Sequence, residues 1–197
     1  MPIQGGNRPT IGRVRVKGVN FILLLDALVK IYGQDTRQRI EKEATGELAD
    51  ALRFGSVVLG GWYDVELYRS LWHLIGSQLT LDEGGIRRLT QKAAALSVNG
   101  IYKALAKIST PSMLISLSSK VFANYYEGAQ FRVKESRPEY IACEWSECVG
   151  FDKYLWNSVL GGAVYFLELA GAQSVEYRVL EGGGNSSRML VDITYRS

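Results

Sequence analysis

Phe151-Asp152-Lys153-Tyr154-Leu155-Trp156-Asn157-Ser158-Val159-Leu160-Gly161-Gly162-Ala163-Val164-Tyr165-Phe166-Leu167-Glu168-Leu169-Ala170-Gly171 precedes two segments of period 2, Ser174 to Leu180 and Met189 to Tyr195, joined through Gly182-Gly183-Gly184-Asn185-Ser186-Ser187. The first stretch reads as a helix from Lys153 to Leu169 with Asp152 as N-cap and Gly171 as its stop. The other two read as a hairpin. Just upstream, Phe131 to Lys134 and Tyr140 to Trp145 alternate in the same way around the turn Ser136-Arg137-Pro138-Glu139, which places Phe131 and Val133 on one face. Residues 128–197 therefore form a strand-strand-helix-strand-strand unit, built to close a buried chamber or to pack on a partner.

The N-terminal part carries the other period. Phe21, Leu24, Leu25, Leu28 and Ile31 recur at helical spacing up to Gly33, followed by helices over about Thr36 to Glu43 and Thr45 to Leu52. Val14 to Val19 reads as a short strand or extended lead, and Gly55 to Gly61 as an extended connector. Asp64 caps a helix with a broad apolar stripe, Val65, Leu67, Tyr68, Leu71, Trp72, Leu74 and Ile75. A further helix runs to about Leu96, Gly100 to Ile108 continues helically, and Pro111 opens a helix from Ser112 towards Tyr126. Layer logic gives an α+β fold with helices packed on an antiparallel sheet. Residues 1–12 are a disordered lead-in, and 13–197 form one domain, mainly helical over 13–127 and sheet-containing over 128–197.

Composition narrows the classes. A length of 197 residues, 47% of them hydrophobic, supports one sizeable core. With 23 basic against 20 acidic residues, the net charge of +3 is too small and dispersed for a phosphate-neutralising nucleic-acid surface. The longest apolar run, Phe21 to Leu25, falls far short of the about 20 residues that span a bilayer. Met1 to Thr10 lacks the apolar core of a secretory signal. The expectation is a cytoplasmic protein whose two cysteines, Cys143 and Cys148, stay reduced.

No set of catalytic groups emerges, and no enzyme activity, metal or cofactor is expected. The one histidine, His73, sits between Trp72 and Leu74 and is either structural or a haem axial ligand. No nucleophile elbow accompanies it. Gly182-Gly183-Gly184 leads into a strand, without the helix start that a phosphate loop requires. Glu144 with Glu147 and Asp64 with Glu66 have no companion base or metal ligands, and read as surface charges.

The aromatics are more informative. Trp62, Tyr68, Trp72, Trp145, Trp156 and Tyr165 gather where the periodicity is interrupted or changes, as core packing or as the wall of a ligand chamber. Gly161 and Gly162 cost a helix about 1 kcal/mol each relative to Ala, so another backbone, a ligand or a dimer partner approaches there. These eight residues and His73 are the candidate ligand-binding set.

The order of motifs resembles a family of paralogous proteins of unknown function in myxobacteria. The resemblance rests on Val16 to Phe21, Tyr32-Gly33 and Gly60 to Tyr68, with Asp64 where Pro is common. The C-terminal unit resembles a wider superfamily: the 4-vinyl-reductase small-molecule-binding domain, the subunits of the TRAPP tethering complex and the haem nitric-oxide-binding domain. That resemblance implies a helical part joined to a twisted antiparallel sheet, with an internal apolar cavity. The haem-binding members pair an axial His with Tyr-x-Ser-x-Arg, and neither Tyr177-Arg178-Val179 nor Tyr195-Arg196-Ser197 matches it. The strand Met189 to Tyr195 lacks the cysteine that often ends the 4-vinyl-reductase type, and the acylated Cys of TRAPP subunits stands elsewhere, so nothing transfers to Cys143.

The expected function is a non-enzymatic ligand-binding or regulatory module of bacterial signalling, with a small apolar ligand or a protein partner. A dimerising TRAPP-like adaptor and a haem-based gas sensor working through His73 are the alternatives.

Overall fold

The computed structural model describes residues 12–97 and 111–196. The predicted helical stretch Gly100 to Ile108 and nearly all of the N-terminal lead-in lie outside the described residues. In chain order the elements are β1 (Arg15–Lys17), α1 (Gly18–Tyr32), α2 (Gln34–Glu43), α3 (Gly46–Arg53), β2 (Trp62–Asp64), α4 (Val65–Leu79), α5 (Glu83–Ser97), α6 (Pro111–Ala123), β3 (Tyr126–Glu127), β4 (Gln130–Arg137), β5 (Tyr140–Ser146), α7 (Lys153–Leu169), β6 (Gln173–Gly182) and β7 (Met189–Arg196). Helices and antiparallel sheet combine in one α+β arrangement.

Two of the predicted caps position the helices that matter. The Asp64 carboxylate accepts the Glu66 N–H at 2.9 Å and starts α4. The Asp152 carboxylate accepts the N–H groups of Tyr154 (2.9 Å) and Leu155 (3.2 Å) and starts α7. Each satisfies donors that the first helical turn cannot pair internally.

The C-terminal strands form an antiparallel sheet in the order β4-β5-β7-β6. In register, Trp145 stands between Phe131 and Met189, and Cys143 between Val133 and Val191, with Ile141 opposite Ile193. These residues line the buried face, while the intervening Glu144, Asp192 and Thr194 point outward, as period 2 requires.

One feature differs from the sequence expectation. Trp62–Asp64, after the predicted connector, is a strand, and the helix predicted to run towards Tyr126 stops at Ala123. Both segments flank β1 in a second sheet of order β2-β1-β3, with Val16 opposite Tyr63 and Tyr126. Strands of two or three residues are too short to declare a period. The pairing is long-range, and it ties the N-terminus to the start of α4 and the end of α6.

The core is continuous from the helices to the large sheet. Phe21, Leu24 and Leu28 of α1, Leu71, Trp72 and Ile75 of α4, and Leu89 of α5 are fully buried, as are Leu155 of α7 and Met189 and Val191 of β7. Full burial of such a side chain contributes roughly 1.5–3 kcal/mol. Among the described residues, no helix is long and apolar enough to cross a membrane.

Gly18 marks the tightest approach in the N-terminal part. A Cβ there would collide with the Val58 carbonyl oxygen, and backbone cannot rotate away. Gly18→Ala is expected to lower stability by about 1–3 kcal/mol, as overpacking does. Urea unfolding checks this, and an unchanged midpoint would contradict the contact.

Candidate functional site

A cavity of ≈ 210 Å³ lies between the helices and the inner face of the four-stranded sheet. Helix α1 contributes Asn20, Leu23 and Leu24, and α5 contributes Thr90, Ala93, Ala94 and Ser97. One side of α6, including Leu114, Ile115 and Phe122, closes a second wall, and Phe131, Val133, Ile141, Cys143, Trp145 and Ile193 form the sheet wall. Helix α7 lines the cavity with Ser158, Val159, Gly162, Ala163, Phe166 and Leu167, a repeat of three to four positions that is one helical face. No Lys, Arg, Asp, Glu or His occurs among the described lining residues.

Four buried polar side chains gather at one place. Tyr68 and Trp72 of α4, Ser158 of α7 and Tyr126 of β3 all line the cavity and are all buried. The Tyr68 hydroxyl faces the Trp72 indole N–H and the Ser158 hydroxyl, and the Tyr126 hydroxyl faces Ser158 as well. These approaches stop short of closed hydrogen bonds, and the Trp72 indole N–H has no hydrogen-bond partner. Burial raises the pKa of both tyrosines well above the ordinary value, so their hydroxyls remain neutral donors. Cys143 is a free thiol pushed up to about 12, chiefly by burial, with the Asp192 charge adding to the shift. Its Sγ–H is directed at the Val191 carbonyl, 3.6 Å away.

The structure divides the nine predicted site residues. Tyr68, Trp72, Trp145 and Gly162 come together in the cavity wall. Gly161 does not: a Cβ there would lie 3.1 Å from the Arg87 carbonyl oxygen and 3.3 Å from Thr90 Cβ, so it is the point where the α5 backbone closes on α7. At Gly162, one residue on, a Cβ would meet nothing within 4 Å. The two neighbouring glycines therefore answer different demands.

Trp62 stands in β2, half-buried, with the Lys17 ammonium 5.5 Å over its ring. Trp156 is buried against Phe151, its ring 4.8 Å away, outside the lining, and its indole N–H also lacks a partner. Tyr165 packs edge-on against Phe166 and does not reach the cavity.

His73 is the largest correction. Its side chain is 53% exposed, its ring lies against Tyr154, and its Nε2 is 2.5 Å from the Asp152 carboxylate that caps α7. It joins α4 to the start of α7 and does not line the cavity. Because the chain has one histidine, the cavity holds none. The lining thus lacks a histidine ligand, and its described part lacks cations for the propionates, so these residues do not fit a haem held through His73.

Other groups weighed as chemistry prove structural. Glu144 lies on the outer sheet face, where Arg188, at 2.6 Å, and Lys134, at 3.6 Å, hold its carboxyl below the usual range. The Gly182 to Gly184 stretch is the β6–β7 hairpin connection, and at Gly182 a positive φ of 77° meets the Arg188 carbonyl where a Cβ would stand. Among the described residues, no group of three His, Cys, Asp or Glu could hold a metal ion.

Sequence reasoning missed the contributions of α1, α5 and α6 to the cavity. Their signal is a run of small or aliphatic residues, such as Ala93 and Ala94, that occurs on any packed helix.

No known protein-family profile matches the chain, and no curated protein matches it in sequence. Its fold does recur in solved structures. The Fe(II) unliganded H-NOX protein from K. algicida is 15% identical, with a TM-score of 0.70, over 92% of this chain and 97% of that one. A variant H-NOX protein from S. oneidensis in the Fe(II) ligation state is 15% identical, with a TM-score of 0.68, over 92% and 96%. An oxygen-binding H-NOX domain related to soluble guanylate cyclases, as its oxygen complex, is 11% identical, with a TM-score of 0.66, over 92% and 95%. What these share with this chain is an H-NOX-like fold along nearly its whole length.

The glycine pair gives a direct check. Gly161→Ala should cost about 1–3 kcal/mol because the Arg87 backbone must yield, whereas Gly162→Ala should be neutral or gain up to about 1 kcal/mol from helix propensity. Equal effects of the two in urea unfolding would contradict the placement of α5. Asp152→Ala, which removes the cap of α7, should cost about 0.5–2 kcal/mol, and full retention of stability would contradict that role.

Proposed function

We propose that this protein is a non-enzymatic module that binds a small neutral ligand in the cavity between its helices and its four-stranded sheet. The observation that carries this reading is the cavity itself: ≈ 210 Å³, walled by aliphatic and aromatic side chains, in an H-NOX-like fold. An engineered cavity of about 150 Å³ lined by Leu, Ile and Phe stays dry and admits benzene, so a space of this size takes a small ring. The space at Gly162 opens on that volume. A role in bacterial signalling and kinship with the myxobacterial paralogous family belong to the same proposal, supported by the stretches 16–21, 32–33 and 60–68.

The fold of the solved neighbours favours a second reading, a haem-based gas sensor. It requires an axial ligand other than His73. In the described lining, Tyr68, Tyr126 and Cys143 carry donor atoms of the kind that hold haem iron elsewhere, and burial keeps all three neutral. Titration with hemin distinguishes the two readings: the neutral-ligand reading predicts no Soret band characteristic of a bound haem, and a band that survives His73→Ala would establish the gas-sensor reading. A homodimeric adaptor would instead show as a dimer in light scattering whose cavity takes up no small molecule.

The cavity reading is tested with α-methylstyrene, a neutral nine-carbon probe. The wild type should bind it saturably in calorimetry, and Gly162→Leu, whose side chain projects into the cavity, should bind it at least about tenfold more weakly while remaining folded. Equal binding by the two proteins, or no binding by the wild type of either this probe or its ketone counterpart acetophenone, would overturn the reading. Native mass spectrometry of gently purified protein should also show a mass above that of the chain alone.

A further inference from the structure

Four polar side chains line the cavity wall at one spot: Trp72 at 0% exposure, Tyr68 at 4%, Ser158 at 5% and Tyr126 at 6%. Each brings one donor hydrogen, one N–H and three O–H. They are neighbours of one another: Tyr68 faces Trp72 and Ser158, and Tyr126 faces Ser158 and lies near Tyr68. The three hydroxyls can rotate and pair among themselves, whereas the Trp72 indole is a donor only and its N–H direction is fixed by the ring. Among the described residues, the fully buried Trp72 N–H has no hydrogen-bond partner.

A donor stranded in a dry site is costly, and more so than an unused lone pair. The other polar side chains of the wall, Asn20, Thr90, Ser97 and Ser118, bond to backbone carbonyls, and none of them is bonded to the Trp72 N–H. Nor can an ion supply the missing partner, since the described lining holds no opposite charge to compensate a carboxylate or an ammonium.

We propose that the ligand is a neutral, mainly aromatic or aliphatic molecule with one hydrogen-bond acceptor, a ketone, ester or ether oxygen, which accepts the unpartnered Trp72 indole N–H beside Tyr68, Ser158 and Tyr126. This rests on the reading of the cavity as a ligand site and adds the chemistry that selects its occupant. The apolar body fills the space opened by Gly162, and the oxygen lies at the junction of α4, α7 and β3.

Acetophenone, α-methylstyrene and benzoate test it on the wild-type protein. The first two have the same shape, and only the ketone offers an acceptor. Benzoate adds a charge. Calorimetry should show acetophenone binding at least about tenfold more tightly than α-methylstyrene and benzoate not binding. The infrared carbonyl stretch of bound acetophenone labelled with ¹³C at the carbonyl should fall below its value in hexane, and Gly162→Leu should abolish both signals. Equal affinity for acetophenone and α-methylstyrene, as when a resident water satisfies the spare donor, would overturn the acceptor assignment while leaving the cavity reading intact. So would a carbonyl stretch equal to that in hexane. Benzoate binding more tightly than acetophenone would overturn neutrality. If neither acetophenone nor α-methylstyrene binds, the cavity reading falls with the inference.

Discussion

Helix α7 meets α5 at a residue without a side chain, and the cavity's geometry follows from that contact. At Gly161 the Arg87 backbone sits 3.1 Å from where a Cβ would stand, so the two helices pack closely there. The helix turns by about 100° per residue, so Gly162 looks away from α5 and into the space enclosed by α6 and the sheet. Close packing on one side and an opening on the other are thus set by two adjacent residues. The start of α7 is fixed independently, since Asp152 caps it, His73 holds the same carboxylate, and Tyr154 lies over Gly76 of α4 at a point where a Cβ would strike its ring. A helix constrained at its N-terminus and its middle cannot slide to collapse the volume beside it.

The same arrangement explains why His73 is structural. The helix α4 presents Tyr68 and Trp72 on its inner side, and residue 73 follows Trp72 by a single step, which turns it towards the start of α7 and solvent. There its ring has a carboxylate to bond. The inner side of α4 reaches the cavity with a hydroxyl and an indole, groups suited to hydrogen-bonding a neutral molecule and carrying no charge of their own. The fold is H-NOX-like, and in this chain the residues facing the cavity set its chemistry.

Much of the architecture is readable in the chain because it is local. Asp64 and Asp152 announce their helices by the N–H groups they accept, and the alternation in Phe131 to Val133 and Ile141 to Trp145 declares the inner face of the sheet. The second sheet is not readable, because Arg15–Lys17, Trp62–Asp64 and Tyr126–Glu127 are each too short to show a period and meet only through distant pairing. The site is readable in part. An excess of aromatics says that a core or chamber exists, but not which rings face it: Trp145 does, while Trp62, Trp156 and Tyr165 pack elsewhere. Spacing along α7 contains the stripe 158/159, 162/163 and 166/167, but only the neighbouring helices reveal that this stripe, and not the Gly161 side, borders open space.

Ligand uptake depends on an apolar space that persists in the folded protein beside Gly162, between α4, α7 and the sheet. A crystal pressurised with xenon reads this directly, because xenon occupies dry apolar cavities without needing a specific contact. The account predicts a xenon peak enclosed by Gly162, Trp72, Val133 and Cys143. Side chains closing that volume, with no xenon bound there, would contradict it.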